Sequence, residues 1–358
     1  LSDAGSPPGE LDRAAVAAVD SAGMLGDLLD LPNQLRDAIW RVDTAQLTAP
    51  ESCDGLVVAG MGSAASGGEL ARAALGEHAC KPLLVARGYE LPPWTTPETL
   101  VMCTSYSGDT EETLATYEAA EVLGCQRIVA TTGGQLAEVA RRDGVPVVPL
   151  PAAYQARSAI AYATVIALEA AAVAGVGPGL RMDLDVAGDH LEERVGAWGP
   201  DGPADALPKE LARALHGTVP LIAGAQLTAP IAYRWKCQLN ENAKVPAGAH
   251  ELPELDHNEL VGWEGAADLG RFSAVFLDDR DLHPRLRRRI ELTRELVAPS
   301  AASTHTIESE GESRLERILS LVLLGDLVSV YLATLRGVDP TPTASIDALK
   351  ASLANEVA

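Results

Sequence analysis

The chain has 358 residues, 47% of them hydrophobic and 22% charged, a globular composition long enough for two domains of ordinary size. Its formal net charge of −22 argues against non-specific nucleic-acid binding, which needs a basic surface. Five scattered cysteines with no CxxC argue against a zinc site or a disulfide framework and suit reduced thiols in a cytoplasm.

No apolar run approaches the roughly 20 residues of a membrane-spanning helix. The opening LSDAGSPPGELDR lacks the basic-then-apolar order of a signal peptide and reads as a disordered lead-in. Residues 14–42 read as helical, with Leu25, Leu28, Leu29 and Ile39 as apolar positions, so 1–40 is a lead-in and helix. The run GLVVAG at 55–60 suits a buried parallel strand, and a helix pattern follows over 68–75. Strands at 82–86 and 100–104, helix 111–123, strand 127–131, helix 136–142 and strand 145–150 continue the alternation. That order predicts a parallel sheet with helices on both faces, a first domain over 41–180.

An Ala-rich helix covers 159–173, and 178–203, mixed in Gly, Pro and charge, reads as the interdomain connection. A second series spans 204–338: strand 219–223, helix 230–239, strand 274–277, helix 284–296, strand 304–307 and a long helix at 313–335. A last helix, 345–353, lies in the tail 339–358. The expected fold class is α/β: two doubly wound parallel-sheet domains of three αβα layers in tandem, plus N- and C-terminal helices.

Two turns follow strands of the first series, Gly60-Met-Gly-Ser-Ala-Ala-Ser-Gly-Gly68 and Ser105-Tyr-Ser-Gly-Asp-Thr110. Ligands of open α/β sheets bind outside the carboxyl ends of the strands, where helix N-termini offer unpaired N–H groups to anions. Ser105, Ser107 and Thr110 add hydroxyl donors, a phosphate cradle that needs no Lys or Arg. The plainer reading of the second turn is helix capping, with Asp109 and Glu112 as a capping box. GxxxxGK[ST] is absent, so a nucleoside-triphosphate loop is not supported, and the first turn does not spell GxGxxG, which leaves a dinucleotide site as a weak alternative.

The segment 240–263, NENAKVPAGAHELPELDHNELVGW, concentrates Glu241, Lys244, His250, Glu251, Glu254, Asp256, His257 and Glu259. Pro246, Gly248 and Pro253 prevent most of it from forming one helix. Such a segment suits a site, although a solvated acidic loop has the same composition. Its histidines and acids lack HExxH spacing, so no metal is expected.

Ser105–Thr110 followed by Glu111-Glu-Thr-Leu resembles the phosphosugar-binding signature of sugar isomerase (SIS) domains. Tyr154-Gln-Ala-Arg-Ser-Ala, the run RWKCQLNENAK at 234–244, HELPELDHNELVGW and Asp347-Ala-Leu-Lys350 extend the likeness over nearly the whole chain. Together they resemble the bifunctional phosphoglucose/phosphomannose isomerases. The resemblance implies two SIS-type domains, a homodimer with shared active sites and reversible aldose–ketose isomerisation of hexose 6-phosphates. That reaction requires no metal and no cofactor is expected, and the charge and the lack of long apolar runs speak against nucleic-acid and membrane partners. By the same resemblance Gly62, Ser63, Ser105, Ser107 and Thr110 bind the phosphate. Arg157 holds the C1–C2 end, Glu241 is the base, and His257 and Lys350 assist ring opening, His257 from the partner subunit. Three stretches depart from the family pattern: Ser63-Ala64 stands for Gly-Ser, Asp109 for Asn, and Gln155-Ala-Arg157 for QPR.

The residue types suit that chemistry. A single carboxylate can carry a proton between C1 and C2 through a cis-enediol, a general-base contribution of roughly 10²–10⁴-fold. Glu241 fits as the end of a helix that begins near Pro230 and stops before Pro246, and a nearby Arg157 would stabilise the enediolate. Histidine, with an ordinary pKa of about 6.5, suits the proton transfers of ring opening. A sugar-phosphate-binding regulator that has lost turnover is the alternative, motivated by the altered first turn and Asp109.

Overall fold

The computed structural model describes residues 9–354, and the expected lead-in falls mostly outside them. The described chain opens with α1 (Arg13–Ala17), α2 (Met24–Leu29) and α3 (Leu31–Ala45) in place of one long helix. Gly23 in a left-handed conformation and Asp30 at the α2–α3 junction divide the predicted element.

The first sheet follows the expected alternation: β1 (Leu56–Ala59), α4 (Gly62–Leu75), β2 (Leu83–Ala86), β3 (Leu100–Thr104), α5 (Glu111–Leu123), β4 (Arg127–Thr131), α6 (Gly134–Asp143) and β5 (Val147–Pro149). Its strands are parallel in the order β2-β1-β3-β4-β5. All side chains of β1 and β3 are buried, which explains why both read as unbroken apolar runs.

Then come α7 (Ile160–Val173), α8 (Arg181–Trp198) and α9 (Leu207–Leu215). The stretch 178–203 is therefore no simple connection. Its helix α8 buries Leu184, Ala187, Leu191 and Trp198 in the central core. The second sheet is built from β6 (Val219–Gly224), α10 (Ala229–Glu241), β7 (Gly248–Glu251), α11 (Glu259–Gly262), α12 (Ala266–Leu269), β8 (Phe272–Asp278), α13 (Pro284–Val297) and β9 (Ser303–Glu308). Its order, β7-β6-β8-β9, repeats the β2-β1-β3-β4 part of the first sheet. The long α14 (Arg314–Arg336) and α15 (Ala344–Ala354) complete the chain.

Helices cover both faces of each sheet, in the three-layer αβα arrangement expected. The central core joins the inner faces of both sheets through α3, α4, α7, α8, α10 and α14. Smaller outer cores lie under α5 and α6 on one side and under α13 and the 252–266 segment on the other. Gly67 lets α4 approach α7, since a Cβ there would stand 2.4 Å from that of Ala163. One expectation about apolar runs needs correction. Helix α14 is long and apolar enough to cross a membrane by composition, but 89% of its apolar window is buried inside the protein. It is a core helix, started by a Ser313–Glu316 capping box.

Candidate active site

The strand order of the first sheet reverses between β1 and β3, and ligands of open α/β sheets bind at such switch points. Ala59 pairs with Cys103, so the loops that leave β1 and β3 emerge side by side. The first loop is shorter than its sequence suggested: α4 starts at Gly62, so Gly62 and Ser63 form its opening turn.

The second loop is tightly folded on itself. Ser105 Oγ lies 2.7 Å from Thr110 Oγ1 and accepts the Gly108 N–H at 3.0 Å. Gly108, at φ +79°, leaves no room for a Cβ, which would stand 1.9 Å from the Gly133 carbonyl oxygen. Ser105 is buried and Ser107 exposed, with Ser107 Oγ accepting from the Asp109 N–H at 3.3 Å. The expected Asp109–Glu112 capping box does not form. Thr110 is the N-cap of α5, its hydroxyl engaged by Ser105. The Asp109 carboxylate instead accepts the Gln135 N–H at 2.9 Å, at the start of α6. Its charge thus complements a neighbouring helix N-terminus.

Tyr106 links this loop to the next segment. Its hydroxyl donates toward the carbonyls of Pro151 and Tyr154 at 2.6 and 2.8 Å, and accepts the Tyr154 N–H at 3.1 Å. Three residues on is Arg157, which is buried. Asp27 of α2 fastens the intervening turn by accepting from the Gln155 N–H and the Ser158 hydroxyl. It does for Gln155-Ala-Arg157 what a proline ring does by stiffness.

Glu241 is the last residue of α10 and Asn242 its C-cap. The helix stops there because Lys244 turns the chain at φ +54°, before Pro246 is reached. A Glu241 carboxylate oxygen lies 3.9 Å from Arg157 Nε, with the glutamate side chain 31% exposed and the arginine 8%. Arg157 donates from Nε to Asn242 Oδ1 at 2.6 Å, and from Nη2 to the carbonyls of Pro340 and Thr341 at 2.7 and 2.8 Å. Burial pushes the guanidinium below its ordinary value and the Glu241 charge opposes this. Lys244 Nζ donates to the Glu241 carbonyl and to that of Pro340. Burial, then the charge of Arg157, hold this lysine low.

Behind these residues lies a buried ion pair, Arg234 Nη2 to Asp326 at 2.5 Å, with Gln238 donating to the same carboxylate at 3.0 Å. Arg234 Nη2 also donates to the Arg157 carbonyl at 3.0 Å. Burial raises the Asp326 carboxyl while Arg234 opposes the shift.

The predicted residues thus fall into three groups. Gly62, Ser63, Ser105, Ser107 and Thr110 share the switch-point edge of the first sheet, and Arg157 and Glu241 share the end of α10. His257 and Lys350 are in neither place. Both are exposed, and their side chains form no hydrogen bond or ion pair among the described residues. His257 ends a 3₁₀ turn before α11, and Lys350 lies on α15. Among the described residues no three His, Cys, Asp or Glu side chains gather as metal ligands, the acids and histidines of 250–259 included.

Asn242 and Tyr106 were not singled out by sequence, and Lys244 only as one of the charged residues of 240–263, without a role. Asn242 and Lys244 carry a signal only in their closeness to Glu241, and Tyr106 only in its place within the hydroxyl loop. A cleft of about 640 Å³ also runs along α4 toward the start of α10 and contains none of the candidate residues. Arg72 and Arg87 in it are tied to Glu69, and Arg314 to the Ala73 carbonyl.

Residues 204–353 match the bacterial phospho-glucose isomerase C-terminal SIS domain. The chain is 38% identical over 343 residues to a bifunctional phosphoglucose/phosphomannose isomerase of Caldicellulosiruptor bescii, covering 92% of this chain and 99% of the relative. The chain belongs to the bifunctional phosphoglucose/phosphomannose isomerase family. A second member, from Aquifex aeolicus, is 35% identical over 84% of this chain and 90% of its own. Among solved structures, a hypothetical protein of Thermus thermophilus superposes with a TM-score of 0.75 over 96% of this chain and 93% of its own. At 18% identity that likeness speaks for the fold alone. The family lies within the SIS-domain phosphosugar isomerase superfamily.

Proposed function

We propose that this protein isomerises hexose 6-phosphates, interconverting fructose 6-phosphate with glucose 6-phosphate, mannose 6-phosphate or both. The observation that carries the reading is the pairing of a partly exposed carboxylate, Glu241, with a buried guanidinium, Arg157, at 3.9 Å. The names borne by the family's members support the substrate class. In this reading the hydroxyls of Ser105, Ser107 and Thr110, with the first-turn amides of α4 at Gly62 and Ser63, hold the phosphate. Glu111 and Glu112 in the first turn of α5 oppose an anion there, so hydroxyl and backbone donors do the binding.

Glu241 removes the proton from C2 of the aldose, or from C1 of the ketose, to give a cis-enediol. The same carboxylate returns the proton to the neighbouring carbon while the hydroxyl proton passes between O2 and O1, so each C–H and O–H bond broken is matched by one formed and no external oxidant is needed. Nη1 of Arg157, which has no hydrogen-bond partner among the described residues, is left to stabilise charge on the enediolate oxygen. His257 and Lys350 serve ring opening, His257 in the site of a second copy within a cytoplasmic homodimer.

The test is NMR of fructose 6-phosphate in deuterated water. Wild-type protein is expected to form aldose carrying deuterium at C2, and Glu241→Gln to slow this by roughly 10²–10⁴-fold. Absence of both deuterium and aldose with wild type defeats the proposal. Calorimetric binding without turnover would then favour a sugar-phosphate-binding regulator.

A further inference from the structure

Asn242 follows Glu241 directly and is fully buried. Its amide is fixed at both ends. Oδ1 accepts from Arg157 Nε at 2.6 Å, and Nδ2 donates to Ser329 Oγ at 2.9 Å. Ser329 donates its one hydroxyl proton to the Asp326 carbonyl at 2.6 Å, so toward Asn242 it can only accept. A guanidinium can only donate. The amide therefore has one satisfied orientation, because a flip would set N–H against N–H.

The donors of Arg157 can be counted. Nε serves Asn242, the two N–H groups of Nη2 serve Pro340 and Thr341, and Nη1 is free among the described residues. The Glu241 carboxylate, also without a hydrogen bond among the described residues, waits 3.9 Å from Nε. Were Asn242 absent, Glu241 would be the nearest carboxylate for Nε. A charge-assisted bond of that kind is short and roughly twice as strong as a neutral one. It would occupy the lone pair that must take a proton from carbon.

We propose that Asn242 is a positioning residue that keeps Arg157 Nε off Glu241, leaving the carboxylate free as base and Nη1 free for a substrate oxygen. The inference rests on the reading of Glu241 as the base. Other charged or titratable groups around the pair come from several elements: Lys244 after α10, the neutral thiol of Cys237 within it, Asp27 from α2, Arg336 from α14 and Asp339 before α15. None of these takes the Nε proton, as Asn242 Oδ1 does.

The experiment measures kcat, KM and the kcat–pH profile for fructose 6-phosphate with Asn242→Ala, Asn242→Asp and Ser329→Ala. Asn242→Ala lets Nε reach Glu241, and kcat is expected to fall at least about 10-fold while the acid limb moves down by about one pH unit. Asn242→Asp keeps a partner for Nε but sets a second carboxylate beside the first, so the limb is expected to move up. Ser329→Ala removes only the acceptor that orients the amide and is expected to shift the limb as Asn242→Ala does, but less. In all three KM is expected to stay within about 3-fold, because the phosphate cradle is untouched. A merely structural role lowers activity without moving the limb in opposite directions for Ala and Asp. Unmoved limbs in the folded variants, alongside an active wild type and a crippled Glu241→Gln, overturn this proposal alone. An inactive wild type, or a fully active Glu241→Gln, overturns the reading of Glu241 beneath it. If Asn242→Ala does not fold, the Asp and Ser329 variants decide by the same criteria.

Discussion

At the scale of single residues the site is an arrangement of donors and acceptors in which few choices are free. Arg157 is fixed by two carbonyls, one amide and, through its own carbonyl, by Arg234. Arg234 in turn depends on Asp326, and both side chains are almost wholly buried. Removing one member of such a pair strands a charge in the interior. Asp326→Asn is therefore expected to cost about 3–5 kcal/mol of stability. Urea denaturation of the variant measures it, and a loss below about 1 kcal/mol would show that solvent or a rearranged partner compensates. Joint replacement by Arg234→Met and Asp326→Leu should recover most of the loss, since apolar groups of similar volume remove both desolvation costs. The residues of this site differ in how far a sequence betrays them. Glu241 and Arg157 stand in short recognisable motifs. The role of Asn242 depends on Ser329, 87 positions away on α14, and no local pattern encodes that meeting.

At the scale of elements, legibility follows from what holds each element together. The apolar strands β1, β3 and β4 announce themselves because both their faces are buried. Strand β7 reads Gly-Ala-His-Glu and has neither alternation nor branched residues; it is a strand because β6 offers it a parallel edge. Helix α8 carries acids and two glycines that imitate a linker, and only its packing in the central core shows it as an element. The two edge strands of the second sheet share a further property. His250 on β7 and His305 on β9 both have pKa values lowered by burial. Glu259 lies against Nδ1 of His250 and favours its charged form, but Nε2 is buried without an acceptor, so burial prevails. A histidine held below its unfolded value of about 6.5 contributes stability that is complete above that pH and disappears as pH falls through the folded value. Acidification is therefore expected to loosen the edges before the centre. Hydrogen exchange at pH 7 and pH 5, corrected for intrinsic rates, should show β7 and β9 losing more protection than β6 and β8. His250→Asn and His305→Asn should abolish the difference. Equal loss in all four strands, or persistence in the double variant, would contradict the assignment.

At the scale of the whole molecule, the single chain leaves its surface unbalanced in a particular way. Helix α15 exposes Ile346, Leu349 and Leu353, spaced to lie along one face, and the segment after His257 exposes Val261 at 65% and Leu269 at 82%. The two predicted ring-opening residues, His257 and Lys350, sit on these same two segments. A second copy that covers them would complete both apolar surfaces and bring His257 to a neighbouring Glu241. In a symmetric dimer such an exchange is reciprocal, so two sites form and each draws on both chains. Complementation tests this without a structure of the dimer. Glu241→Gln and His257→Ala homodimers should each be nearly inactive. When the two are unfolded and reassembled in equal amounts, about half of the dimers are mixed. Each mixed dimer has one site with both defects and one with neither, so about a quarter of wild-type activity should return. Were each site built from one chain alone, every site in the mixture would carry one defect and no activity would return. Sedimentation of the reassembled mixture at the mass of two chains is the necessary companion measurement, because an intact Glu241 and an intact His257 can meet only where two chains share one particle.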